Sequence, residues 1–287
     1  MRKSLRVRNK TKTNKMKRKL STLLVTVTLF VCANHLLAQN LYVSISGGGA
    51  FSTSTQNVPN FSNNTSTNFT SSQEQIHLSL GQGSNYGGSV GYMFNKNIGA
   101  ELGLSFLIGA NTYSQGSAVG GTSSSNYSAN MTRFTPTIVI ASGMDNINPY
   151  AKFGIIFGSG DVYYSGKETK GTDVFLYDVK MNGGDAVGIS SCIGAQYKLN
   201  KQAVLYAEIT TVNLSYAPTK GIFTTATYNG ADVLPSMTTK NKEINFVESV
   251  KTTSSSTATP DSQPTSSLII KYPFGSVGIN LGLKYIL

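Results

Sequence analysis

Little in this sequence can hold a metal or close a disulfide. Its 287 residues include two cysteines and two histidines, and the first 38 residues take one of each, Cys32 and His35. Cys192 and His77 are what the remaining chain keeps. A lone cysteine excludes an internal disulfide framework, and one histidine without a second thiol argues against a structural zinc site. Long apolar runs are missing too. Beyond residue 38 no stretch approaches the roughly 20 apolar residues a membrane helix needs. Any membrane residence must therefore use strands.

The formal charge of +11 is equally uninformative about partners. Ten of the 24 Lys and Arg crowd into residues 1–19, followed by an apolar stretch over 20–31 and then "CANHLLAQN". A basic segment, about a dozen apolar residues and a small residue before the cut describe a secretory signal peptide over 1–38, cleaved after Ala38. Met16 opens "MKRKLSTLLV", a complete signal by itself, so translation could start at either Met1 or Met16. Cys32 is preceded by bulky Val31, where a lipidation signal needs a small residue. Without the leader, 14 basic residues face 13 acidic ones, and nothing points to nucleic acid.

What the chain has in quantity is period-2 alternation. In the closing "VGINLGLKYIL", Val277, Ile279, Leu281, Leu283, Tyr285 and Leu287 share one parity, while Gly278, Asn280, Gly282 and Lys284 hold the other. Alternation puts the two sets on opposite faces of a strand. The same pattern recurs in "NLYVSISGGGAF", "NYGGSVGYMF", "IGAELGLSFLIGA", "RFTPTIVIA", "PYAKFGIIFG", "AVGISSCIGAQYKL" and "AVLYAEITTVNL". These eight candidate strands are joined alternately by short turns ("NKN", "SGMDNIN", "NKQ") and long polar segments at 52–83, 113–130, 159–184 and 215–266. The last holds the low-complexity run "KTTSSSTATPDSQP", a composition compatible with partial disorder.

Strands of about ten residues, short turns at one end and long loops at the other are the grammar of a transmembrane barrel. A soluble β-sandwich would explain the strands but not the strict alternation of connections. The reading is all-β: an eight-stranded antiparallel up-and-down transmembrane β-barrel over 39–287, with four long extracellular loops. Tyr42, Tyr92, Phe94, Tyr150, Tyr197 and Tyr285, near strand ends, are expected in aromatic girdles at the membrane interfaces.

The layout, and the segments "NPYAKFGIIFG", "LYAEITTVNLSYAP" and "VGINLGLKYIL", resemble the small OmpA/OmpX-type outer-membrane barrels, particularly the Bacteroidetes-like "outer membrane β-barrel domain" proteins. The resemblance is to members in which no peptidoglycan-binding domain is expected after the barrel. The resemblance implies residence in the outer membrane, contact with its lipid and lipopolysaccharide, and insertion by the barrel-assembly machinery. The C-terminal signal which that machinery reads matches Val277, Ile279, Leu281, Leu283 and Tyr285, whereas Leu287 stands where Phe is usual.

On this reading the polar parity faces the lumen, and eight strands leave room for side chains rather than a channel. Glu101, Lys152, Glu208 and Lys284 share that parity, about 10–17 Å from the periplasmic strand ends at the usual strand rise. They are expected to form an interior ion-pair network. A paired-carboxylate catalytic site at Glu101 and Glu208 is disfavoured, because the lysines would plug it. Some barrels resembling this one modify lipid A with a rim His and Ser. His77 with Ser79 or Ser84 and Glu74 could be cast in those roles, but loop spacing fixes no triad. The segment 159–184 has the wrong spacing for a phosphate loop, with Glu168 where Ser or Thr would hold magnesium. Its Asp161, Asp173, Asp178 and Asp185 lack EF-hand spacing. Cys192 reads as a small packing residue.

The expectation is a non-enzymatic protein without cofactor or metal, serving envelope structure, or surface recognition and adhesion through its loops with an extracellular ligand as partner. A narrow, porin-like solute or ion channel is the alternative. A lipid A-modifying enzyme using His77 stands third.

Overall fold

The computed structural model describes residues 40–53, 55–250 and 260–287. The segment 1–38 expected as a signal peptide, with Cys32, and most of the Thr/Ser run at 251–259 lie outside the described residues.

The sequence pattern predicts eight strands, and among the described residues the sheet contains seventeen. They begin with β1 (Leu41–Ser52), β2 (Gln56–Ser66), β3 (Ser71–Leu78), β4 (Gly83–Met93), β5 (Ile98–Gly109) and β6 (Thr112–Ala118). Next come β7 (Gly121–Ala141), β8 (Ile147–Lys170), β9 (Asp173–Asn182), β10 (Ala186–Lys198), β11 (Ala203–Tyr216) and β12 (Lys220–Tyr228). The chain finishes with β13 (Ala231–Asp232), a single helical turn α1 (Thr239–Lys242), β14 (Glu243–Val247), β15 (Thr265–Leu268), β16 (Tyr272–Pro273) and β17 (Ser276–Ile286).

Eight of these strands pair in a closed cycle, β1–β4–β5–β7–β8–β10–β11–β17 and back to β1, every pairing antiparallel. Closure leaves the ring no free edge, so its backbone donors and acceptors are met within the sheet. The short connections are built by asparagine. Asn95 Oδ1 accepts from the backbone N–H groups of Asn97 and Ile98 at 2.8 and 2.9 Å, and Asn200 does the same for Gln202 and Ala203 at 2.8 and 2.7 Å. An Asn side chain that imitates a backbone turn is what makes "NKN" and "NKQ" reverse the chain.

The two faces of the ring are inverted relative to a soluble sheet. Ile45, Leu102, Leu104, Ile138, Phe153, Ile155, Ile189, Ile209 and Leu281 point outward and are exposed. Ser44, Glu101, Lys152, Asn280 and Lys284 point inward and are buried.

The segments 52–83, 113–130 and 159–184, expected as polar loops, are largely strand, and the described part of 215–266 carries β12, β13, β14 and the start of β15, which corrects the loop assignment. β7 and β8 run on for 21 and 24 residues, about twice the 9–11 a bilayer needs. Beyond the ring they join β9, β6 and their neighbours in a sheet ordered β3–β2–β6–β7–β8–β9–β12–β14–β15. This extension encloses an apolar core that includes Val58, Phe61, Leu78, Tyr127, Ala129, Val162, Val179, Met181, Tyr272 and Phe274. Tyr127 is its hub, with ring centroids 4.7 Å from Tyr164, 5.0 Å from Phe61 and 5.6 Å from Tyr272. Ser- and Thr-rich strands with one apolar inner face suffice to hold such a structure together.

Candidate functional site

The lower interior of the ring is spanned by one charge cluster. Lys152 on β8 reaches two carboxylates, Glu101 on β5 at 3.1 Å and Glu208 on β11 at 2.6 Å. Tyrosines occupy further acceptor sites. Tyr42 donates to Glu101 Oε2 at 2.8 Å and Tyr150 donates to Glu208 Oε1 at 2.7 Å. Lys284 does not pair with either carboxylate; it donates to Gln196 Oε1 at 2.9 Å and lies 4.1 Å from the centroid of the Tyr42 ring. A cation over a desolvated aromatic face is a favourable placement. Sequence parity thus puts four charges in one interior, of which the structure joins three directly and seats the fourth on aromatic rings.

Small residues make this fit. A Cβ on Gly91 would lie 2.2 Å from Tyr42 Cζ, and one on Gly282 would lie 2.3 Å from Tyr206 Cζ. The tyrosines lie flat over these glycines, and any side chain there would displace them. Tyr42 and Tyr150 are therefore interior residues, 2% and 6% exposed, and not members of an outer girdle. Their parity carried the signal, since Tyr150 alternates with Ala151 and shares its face with Lys152.

Two cavities flank the cluster. One of about 300 Å³ is lined by Tyr42, Tyr150, Gln196, Lys198 and Lys284 at the short-turn end. The other, of about 120 Å³, is lined by Glu101, Lys152, Glu208, Thr135, Asn85 and Asn280. The charged and aromatic side chains form the partition between them.

The other candidates lie apart. His77 is exposed on β3, opposite Asn57. Ser79 is buried and donates its hydroxyl to the Gly275 carbonyl at 2.6 Å. Glu74 accepts from Asn63 at 3.2 Å, and Ser84 belongs to β4, opposite Gly49 and Ile108. The structure assembles no catalytic triad from these residues. Asp161 pairs with Lys180 at 3.0 Å and Asp173 accepts from Asn229 at 3.3 Å. Among the described residues no three metal-type ligands converge. Cys192 is buried against Ala141 and Tyr150. On β17, Ile279, Leu281, Leu283 and Tyr285 face outward with 43–61% exposure, Leu287 is exposed just beyond the strand end, and Val277 is half-buried. Sequence reasoning did not single out Tyr206, Gln196, Arg133, Asn85 or Asn280; only their inward parity marks them.

Residues 23–247 match the outer membrane protein beta-barrel domain family, and the chain belongs to that family. Two solved structures align over most of it. The N-terminal β-barrel domain of Pseudomonas aeruginosa OprF is 10% identical, with 86% of this chain and 97% of that one covered and a TM-score of 0.31. Acinetobacter baumannii CarO is 10% identical, with 88% and 100% covered and a TM-score of 0.32. Likeness at that level carries no functional argument. No curated protein sequence matches the chain.

Proposed function

We propose that this protein is a non-enzymatic, eight-stranded transmembrane barrel of the outer membrane that works through its extension at the cell surface. The observation that carries the reading is the inversion of the closed ring: apolar residues outside, an ion-pair partition inside. The outward belt fits contact with outer-membrane lipid and lipopolysaccharide. The alternating apolar face of β17 fits recognition by the barrel-assembly machinery. The extension, held by its own apolar core, is a rigid platform for envelope structure or for recognition and adhesion to an extracellular ligand. Each long connection lies on the extension side and the tight Asn turns lie opposite, which supports an exterior position for the extension.

A narrow channel is the second reading, favoured by the cavities on either side of the partition. Planar-bilayer recording of protein extracted from outer membranes decides between them. A plugged barrel gives no stable unitary steps. Regular steps, altered in ion selectivity by Lys152→Gln, would replace the surface-platform reading with the channel. Recovery of the protein from the soluble periplasm, with no change in electrophoretic mobility on boiling, would remove both.

A further inference from the structure

The outer face of the extension changes character across the sheet. Residues 110–132, which hold β6 and the part of β7 beyond the ring, contain no Asp, Glu, Lys, Arg or His. The neighbouring strands are charged. Asp161 on β8 pairs with Lys180 on β9 at 3.0 Å, and that ammonium lies 5.8 Å from the centroid of the Tyr163 ring. On β6 and β7, hydroxyls and amides alone meet the water.

The strand register puts these groups side by side. Ser114, Tyr127 and Ala129 point inward and are buried. On the opposite face Tyr113 stands across from Asn126, Gln115 from Ser124, and Ser117 from Thr122. Ser165 on β8 continues the row beside Asn126. Directly opposed side chains on one face have Cβ atoms about 4.5–5.5 Å apart, so the patch is continuous. Its charged borders are Lys167, across from Ser124, and Glu74, which accepts from Asn63 at 3.2 Å. Within it Tyr113 is 63% exposed. The Tyr113 hydroxyl accepts from Asn111 Nδ2 at 3.2 Å, a contact that steadies the ring while its faces stay open.

Hydroxyl and carboxamide side chains both donate and accept hydrogen bonds, and an aromatic face is electron-rich and attracts C–H groups. A sugar ring offers the complement, hydroxyls along its rim and C–H groups on its face. A charged ligand would meet no counter-charge inside the patch. A protein partner would need an apolar centre, which one tyrosine among serines does not supply. We infer that the outer face of β6 and β7 binds a neutral glycan, with one sugar ring stacked on Tyr113 and its hydroxyls bonded to Gln115, Ser124 and Asn126. The inference rests on the exterior position proposed for the extension and names the class of its ligand. Because the patch stands on paired strands backed by the apolar core, little ordering is left for the moment of binding.

The test uses the mature protein extracted into a detergent without a sugar headgroup, and a glycan panel. Neutral oligomers of glucose, galactose, mannose and N-acetylglucosamine are compared with heparin and hyaluronan fragments. Retention should be confined to neutral glycans. Tyr113→Ala should weaken it about tenfold, the order expected for losing one stacked ring, and Gln115→Arg should weaken it as well. Tyr228→Ala removes an exposed tyrosine of β12, outside the patch, and should bind like the wild type. Mobility with and without boiling shows that each variant is folded. Retention of no neutral glycan, preference for the anionic fragments, or equal binding by folded Tyr113→Ala and Gln115→Arg would overturn the inference. Position is read separately, by labelling Ser117→Cys on intact cells with a membrane-impermeant maleimide. Labelling without glycan binding refutes the glycan site alone; glycan binding in detergent without labelling upholds the site and refutes the exterior position.

Discussion

The ring and the extension are made from the same strands with opposite polarity. On β7 the inward residues run Thr137, Thr135, Arg133 in the ring and Met131, Ala129, Tyr127 beyond it. The outward ones run Ile140, Ile138, Phe134 and then Thr132, Asn130, Ser128. Backbone parity continues unbroken while the apolar side changes face. A strand has only two faces, and the solvent outside decides which must be apolar. Lipid surrounds the ring in the proposed barrel, so its interior can be polar; water surrounds the extension, so its interior must be apolar. The comparison teaches that one strand can cross a phase boundary without a turn, provided its pattern inverts at the crossing.

The strongest way to break the ring is from inside. Lys152→Met leaves Glu101 and Glu208 buried, mutually repelling and without their bridge, and should cost about 3–5 kcal/mol. Urea-unfolding midpoints of protein in detergent measure it. The triple variant Glu101→Gln, Lys152→Met, Glu208→Gln should recover most of the loss; no recovery would mean that packing, rather than charge, holds the partition.

Arginine placed on the outward face separates the two regions directly. Leu281→Arg, in the middle of the proposed lipid belt, should cost about 2–4 kcal/mol. Ser124→Arg, exposed on the extension, should stay within about 0.5 kcal/mol. Equal costs in lipid vesicles would erase the distinction between the regions.

Filling a glycine tests the interior fit at smaller scale. Gly91→Val meets the Tyr42 ring and should destabilise by about 1–3 kcal/mol, in the range of overpacked cores. The double variant Gly91→Val, Tyr42→Ala should regain part of it if the clash is the cause.

The smallest effect concerns alkali and the extension. Burial pushes the Tyr272 and Tyr216 phenols up to about 12, above the value of about 10 in an unfolded chain. Their contribution is therefore complete below pH 10 and is lost as pH rises through 12. Limited proteolysis at pH 11.5 should cut the extension sooner than at pH 8, while the boiling-dependent mobility of the ring persists. Simultaneous loss of both would show that the two regions do not unfold separately.

Much of the ring was legible because alternation is local. The strand at Ile98 and the strand at Ser276 show their two faces in the letters themselves, and Glu101, Lys152, Glu208 and Lys284 declare one parity. The extension was not legible for the same reason. In 113–130 Ser, Thr, Asn and Gly predominate, and Tyr113, Ala118, Val119, Tyr127 and Ala129 interrupt them without sustained alternation, so the segment reads as loop. The sequence by itself determined the all-β class, the single cysteine and single histidine beyond residue 38, and which residues of the ring strands share a face. Only the tertiary structure decided which inward residues meet. Lys152 reaches Glu101 and Glu208 because ring closure brings β5, β8 and β11 around one lumen, while Lys284, on the same face, arrives over Tyr42 instead. Parity is a property of neighbours in the chain; partnership depends on stagger and closure, which no single strand encodes.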